Sequence, residues 1–261
     1  MSGHESIARM TRTISKLSSA SVALEVAVQD VSSARAARQA GATRVELCSA
    51  LSSTGGLTPS IGLIEQVVAE ALPVHVLIRP RGGDFVYQED ETRIIMRDIR
   101  AALDAGAAGI VSGGLTADGK VDEDLLAMLV DASAGAHFTF HRALDAVEDQ
   151  LSALDSIIAG GVDRVLTSGG AARCSEGVEA IAALVARAST SLEIQAGGGV
   201  TISDIPALMA VGVRGIHLSA RRKVVSGLVG PGGGEATHDA ADESLIAEAV
   251  AAIQRRSPRS Q

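Results

Sequence analysis

Two arginines, a glycine pair and an aspartate are packed into Ile78-Arg79-Pro80-Arg81-Gly82-Gly83-Asp84-Phe85, directly after the apolar run Val74-His75-Val76-Leu77. Arginine grips carboxylates and phosphates with a planar fork of N–H donors. Glycine lets the backbone turn sharply or approach a ligand closely. Arg79, Arg81 and Asp84 are therefore candidates for an anion-binding loop at the end of a strand. The plainer alternative is a pair of solvated arginines beside a turn.

A second constellation is His141-Arg142-Ala143-Leu144-Asp145. It puts an imidazole, a fixed cation and a carboxylate in one short segment. Histidine is suited to proton transfer near neutral pH, so His141 is the first candidate for a general acid or base. A satisfied structural histidine is the alternative. Glu25 and Glu46 lie near the ends of successive apolar runs. They read either as a carboxylate pair, with Glu46 and Asp145 joining His141 in catalysis, or as partners that hold Arg79 and Arg142. Gly197-Gly198-Gly199, Thr167-Ser168-Gly169-Gly170 and Ser219-Ala220-Arg221 add loops whose backbone N–H groups suit phosphate. Ser168, Gly197, Gly198, Gly199 and Ser219 join Arg79, Arg81, Asp84 and Arg142 as substrate-binding candidates. Each loop also reads as a simple turn. Cys48 is the one thiol near a strand end. It is a small apolar filler or, with His141 or His217, part of a soft-metal site.

These residues need elements to position them, and an imperfect repeat supplies them. Gly41, Gly106, Gly161 and Gly212 each sit between a helical run and an apolar run, at intervals of 65, 55 and 51 residues. A glycine there suits a left-handed helix stop. Each interval has room for two strand–helix units of about 30 residues. The intervening strands are read at Leu24–Val28, Val74–Arg79, His137–His141 and Leu192–Ala196. Helical periodicity is read over Asp90–Ala105, Asp122–Ala132 and Glu176–Ala188. Strict alternation implies a parallel sheet, and eight units imply closure into a TIM-type (βα)8 barrel of the α/β class. Within the strands, Arg44, Glu46 and Cys48 alternate with Val45 and Leu47, and His75 and Arg79 share one parity. Successive strand side chains point to opposite faces. The apolar face should meet the helices, leaving Glu46, His75, Arg79, His141 and His217 inside. Active sites of this architecture lie at the carboxyl ends of the strands.

The expected domain spans about residues 22–256, with a Gly-rich loop at about 220–238. Residues 1–21 read as a disordered Ser/Thr-rich leader or a mis-assigned start, and 257–261 as a tail. The 261 residues are enough for one such barrel, and aromatics are only 2%. So few aromatics argue against a base-stacking platform, and a net charge of −8 argues against nucleic acid or an anionic membrane surface. No apolar run reaches membrane-spanning length. The two cysteines form no spacing motif, so a reducing, cytoplasmic setting is expected. A homo-oligomer is compatible with the sequence.

Six segments, in order, resemble the CutC family. They are Arg44-Val45-Glu46-Leu47-Cys48, Gly55-Gly56-Leu57-Thr58-Pro59-Ser60, the Ile78–Phe85 segment with Tyr87, Thr139-Phe140-His141-Arg142-Ala143-Leu144-Asp145, Arg164-Val165-Leu166-Thr167-Ser168-Gly169-Gly170 and Ala196-Gly197-Gly198-Gly199-Val200. The resemblance covers roughly residues 23–220. It implies a TIM-type barrel, a cytoplasmic location and a role in copper homeostasis through Cu(I) binding, with Cys48 at one of the cysteine positions. Many relatives also carry cysteine near the end of the first strand, where this chain reads Leu24-Glu25-Val26-Ala27-Val28-Gln29. Two functions follow: copper handling with Cu(I) as the bound metal, or an enzyme acting on a small anionic or phosphorylated metabolite.

Overall fold

The computed structural model describes residues 22–255 apart from 71, 226, 228–230 and 232–235. The stretches read as leader (1–21) and tail (257–261) lie outside the described residues. Eight parallel strands close into a barrel in chain order: β1 Ala23–Val28, β2 Arg44–Leu47, β3 Val74–Leu77, β4 Gly109–Ser112, β5 His137–Phe140, β6 Arg164–Thr167, β7 Glu193–Gly197 and β8 Gly215–Leu218. Closure is made by β1 pairing with β8, Glu25 opposite His217. The four repeat glycines all have positive φ, from +77° to +94°. Each provides the left-handed turn that releases the chain from a helix into β2, β4, β6 or β8.

Side-chain parity sorts the strands into two cores. Val26, Val45, Val76, Ile110, Phe138, Val165, Ile194 and Ile216 belong to the large apolar cluster between barrel and helices. The helices meet it with amphipathic faces; Glu89–Asp104, for example, buries Ile95, Ile99 and Ala102. Inside the barrel the apolar filling is a small separate cluster of Cys48, Leu77 and Val111. Below it the interior is charged.

Residues 220–238, expected to form an unordered Gly-rich loop, begin and end in strands. β9 (Arg221–Val225) pairs antiparallel with β10 (Thr237–Ala241). The alternation that marks a buried strand is missing, because β9 exposes nearly all its side chains. Arg221 pins the hairpin across the mouth, donating to Ser52 Oγ (2.6 Å) and Asp239 Oδ2 (2.8 Å).

Candidate functional site at the barrel mouth

The charged interior centres on Glu25. Its carboxylate accepts from Arg44 Nε (2.6 Å), Gln195 Nε2 (2.5 Å) and His217 Nδ1 (2.8 Å). Arg44 also donates to Gln195 and Glu193, and Arg164 donates to Glu193 (2.8 Å) and approaches His75 Nδ1 (3.1 Å). Two arginines thus balance two glutamates. Burial pushes the Glu25 carboxyl upward, but Arg44, the His217 hydrogen bond and Arg164 outweigh it and hold the carboxyl well below its usual range. Burial lowers His75 to about 4, so it is neutral. Arg164 and Glu193 were missed in the sequence. The signal was present: Arg164-Val165 opens β6 as Arg44-Val45 opens β2, on the same parity.

Above this layer, at the carboxyl ends of the strands, lies a cavity of about 260 Å³. Its walls include Glu46 and His217 at the floor, Arg79, Phe85 and His141 on one side, and Arg142, Gly198, Gly199 and Ser219 on the other. Among the described residues, Glu46 Oε2 and His141 Nε2 are buried without a hydrogen-bond partner. Burial raises the Glu46 carboxyl to about 7, with His217 opposing and Glu25 reinforcing. Burial also acts on His217, but Glu46 and Glu25 outweigh it and favour the imidazolium. His141 is driven the other way, down to about 3, by burial and by the Arg79 cation.

Local structure after β5 sets the cation. Residues Arg142–Ala146 form a 3₁₀ turn capped by His141, whose Nδ1 accepts from Ala143 N–H (3.3 Å). Residues three apart eclipse on such a turn, so Asp145 meets Arg142 Nε at 2.7 Å. Asp145 is itself held by Ser168 N–H, Ser168 Oγ, Thr167 Oγ1 and Gly170 N–H. Arg142 Nη2 donates to Ser168 Oγ (2.8 Å). The guanidinium then lies against Gly198, where a Cβ would sit 3.0 Å from Arg142 Cζ and from Ser168 Cβ. Glycine is required there by both this contact and its φ of +115°.

The chain is similar to known proteins over most of this architecture. The CutC family model matches residues 22–222. The chain belongs to the CutC family. A CutC family protein of Photobacterium profundum is 43% identical over 77% of this chain and 82% of its own length. The human copper homeostasis protein cutC homolog is 42% identical over 78% and 76%. The crystal structure of a CutC protein of Streptococcus agalactiae superposes with a TM-score of 0.70 at 33% identity, over 75% of this chain and 97% of that one. A thiamine phosphate pyrophosphorylase from Pyrococcus furiosus, 15% identical with a TM-score of 0.58, shares the fold alone.

The candidate residues of this CutC-family barrel divide into four groups. Glu46, Arg79, His141, Arg142, Gly198, Gly199 and Ser219 line the cavity. Arg79 spends its fork on backbone carbonyls of Thr54, Gly56 and Gly83, which ties the two loops together. Asp145 and Ser168 stand behind Arg142, and Gly197 packs beneath against Leu166 and His217. Arg81 and Asp84 turn to the loop surface, where Arg81 binds Glu91 (2.5 Å) and Asp84 (3.0 Å) and stacks on Tyr87. Cys48 is fully buried in the small inner cluster, its Sγ 3.7 Å from Val28 O. Burial and the neighbouring Glu46 push its thiol far up, which disfavours the thiolate. Among the described residues, the group with metal-ligand spacing is Glu25, Glu46 and His217, with ligand atoms within 4.8 Å of one another. Cys48 is not part of it. The helices of the described residues include none long and apolar enough to cross a membrane.

Proposed function

We propose that this CutC-family barrel is an enzyme acting on a small anionic metabolite at its mouth. The carrying observation is the convergence on one cavity of Arg142, braced by Asp145 and Ser168, with the unpartnered polar atoms of Glu46 and His141. Arg142 binds the anion together with backbone N–H groups of Gly198 and Gly199, while Glu46 and His141 face the reacting end. The cavity volume of about 260 Å³ suits a metabolite of a few carbons, below the usual ~300–1,000 Å³ of drug-sized sites. Both cysteines are free, in keeping with a cytoplasmic setting. Calorimetric titration with inorganic phosphate and with small phosphorylated metabolites tests the reading. Binding that Arg142→Ala abolishes supports it, and binding unaffected by that change overturns it.

Copper handling is the second reading, favoured by the names of the relatives and by one observation, the Glu25–Glu46–His217 group. Its oxygen and nitrogen donors suit Cu(II) or another borderline divalent ion. They do not fit Cu(I), which prefers several thiolates or thioethers, and Cys48 offers one disfavoured thiolate outside that group. His217 Nδ1 is already bound to Glu25, so for His217 to ligate through Nε2 Glu25 would act as the outer carboxylate that orients the imidazole, leaving Glu46 and His217 as the donors. Competition between Cu(II) and Zn(II) in wild type and Glu46→Gln tests this reading.

A further inference from the structure

A buried polar atom without a partner costs on the order of 1–3 kcal/mol, so such atoms in a cavity wall call for a partner that a ligand brings. Glu46, His141 and Arg79 all line the same cavity and each leaves one such atom, Oε2, Nε2 and Nε respectively; of these, Glu46 and His141 have opposite demands. His141 Nδ1 accepts the Ala143 N–H, so the neutral ring carries its proton on Nε2 and offers a donor. The Glu46 carboxylate offers an acceptor. A carbonyl oxygen satisfies the first, and a C–H proton acidified by that carbonyl satisfies the second.

Building on the anion site proposed above, we propose that the cavity takes a small anion bearing a carbonyl next to a C–H bond, and that Glu46 removes that proton while His141 donates its Nε2–H to the carbonyl oxygen. The C–H electron pair becomes the new C=C bond, and the carbonyl π pair moves to the oxygen held by His141. The proton resides on Glu46 until it returns, to the same carbon or to its neighbour. The step is redox-neutral and needs no co-reactant. Isomerisation, epimerisation and aldol addition all begin with such an enolate.

The surroundings of the two groups fit these roles. Glu46 is faced by His217 and Glu25 and keeps Oε2 free of any hydrogen bond, as a base that meets a substrate proton requires. His141 is faced by Arg79 and Asp145. Burial and Arg79 hold it at about 3, so it stays a neutral donor throughout the physiological range. The Phe85 ring, 4.7 Å from His141, and Phe140, 5.9 Å away, cover the imidazole. Of the two residues expected from the sequence to act in catalysis, Glu46 would be the base and His141 the proton donor.

The test follows hydrogen exchange in D₂O with dihydroxyacetone phosphate and hydroxypyruvate, read by proton NMR, with calorimetry on the same samples. Deuterium should enter at the carbon beside the carbonyl. Glu46→Gln should slow the exchange about 100-fold or more, the scale of a lost general base, with the probe still bound. Glu46→Asp, which keeps the charge and withdraws it from the substrate, should recover part of the rate. His141→Asn should slow exchange with the probe still bound. A probe that binds without exchanging, or exchanges equally in Glu46→Gln, overturns this inference alone. If neither probe nor inorganic phosphate binds, the mouth reading fails, and this inference with it.

Discussion

Glu25 Oε1 lies 2.8 Å from His217 Nδ1, and that contact joins the charged floor of the barrel to the cavity above it. His217 also comes within 4.8 Å of Glu46, whose carboxyl it helps to ionise. The same Glu25 carboxylate neutralises Arg44. Glu25 therefore serves stability first and the site second.

Replacing Glu25 by Ala should cost about 3–5 kcal/mol, because Arg44, Arg164 and His217 would be left buried with Glu193 as the one carboxylate that Arg44 and Arg164 share. Urea unfolding measures this. Wild-type stability should also fall in acid: the Glu25 carboxyl titrates well below its ordinary value in the fold, so its contribution is present above the unfolded pKa and lost as pH drops through the folded one. Arg44→Met combined with Glu25→Leu should recover much of the loss, since a buried ion pair is often replaceable by packed apolar groups.

Asp145 touches the cavity only through Arg142. Asp145→Asn should leave the fold in place and weaken phosphate binding about 10-fold or more, as the bidentate alignment of Arg142 and Ser168 loosens. Arg142→Lys should not restore affinity, because an ammonium cannot bridge Asp145, Ser168 and an anion in one plane. Titration with inorganic phosphate compares the two.

The barrel was legible because its signals are periodic. Gly41, Gly106, Gly161 and Gly212 mark each second unit, and alternation in Arg44–Cys48 and Val74–Arg79 assigns every side chain to a face. Proximity across the barrel was less legible. Arg44 reaches Gln195 over 151 positions of sequence, and nothing in a local pattern encodes that meeting. Arg81 was grouped with Arg79 because the two share a parity and a loop. The chain bends at Pro80 and Gly82-Gly83, and Glu91 at the start of the next helix draws the Arg81 head group away. The paired strands Arg221–Val225 and Thr237–Ala241 were invisible because exposed strands carry no alternation.

Cu(I) should bind weakly. Anaerobic titration against a Cu(I) chelator should show little competition, and Cys48→Ser should remove what remains. Tight binding that survives Cys48→Ser would place the metal elsewhere. Cu(II) is expected to behave differently, with a proton-linked affinity that disappears in His217→Gln, since a neutral imidazole is the ligand form.

Glu46 and His141 should leave opposite marks on stability against pH. The Glu46 carboxyl moves from an ordinary 4.5 to about 7 in the fold. Between those values the native state holds more protons than the unfolded chain, so stability falls as pH rises, by a few kcal/mol overall. His141 moves from 6.5 to about 3. Between those values the unfolded chain holds more protons, so stability falls as pH drops. The two windows overlap between about 4.5 and 6.5, where the slopes oppose, so wild type should be most stable there, and each variant should unmask the other group's slope across that band. Glu46→Gln should flatten the alkaline limb, and His141→Asn the acid limb. Thermal unfolding from pH 4 to pH 9 reads both limbs. A Glu46→Gln curve parallel to wild type above pH 5 would show that the carboxyl is solvated. It would then lose its claim to be the base that meets a substrate at the floor of the cavity.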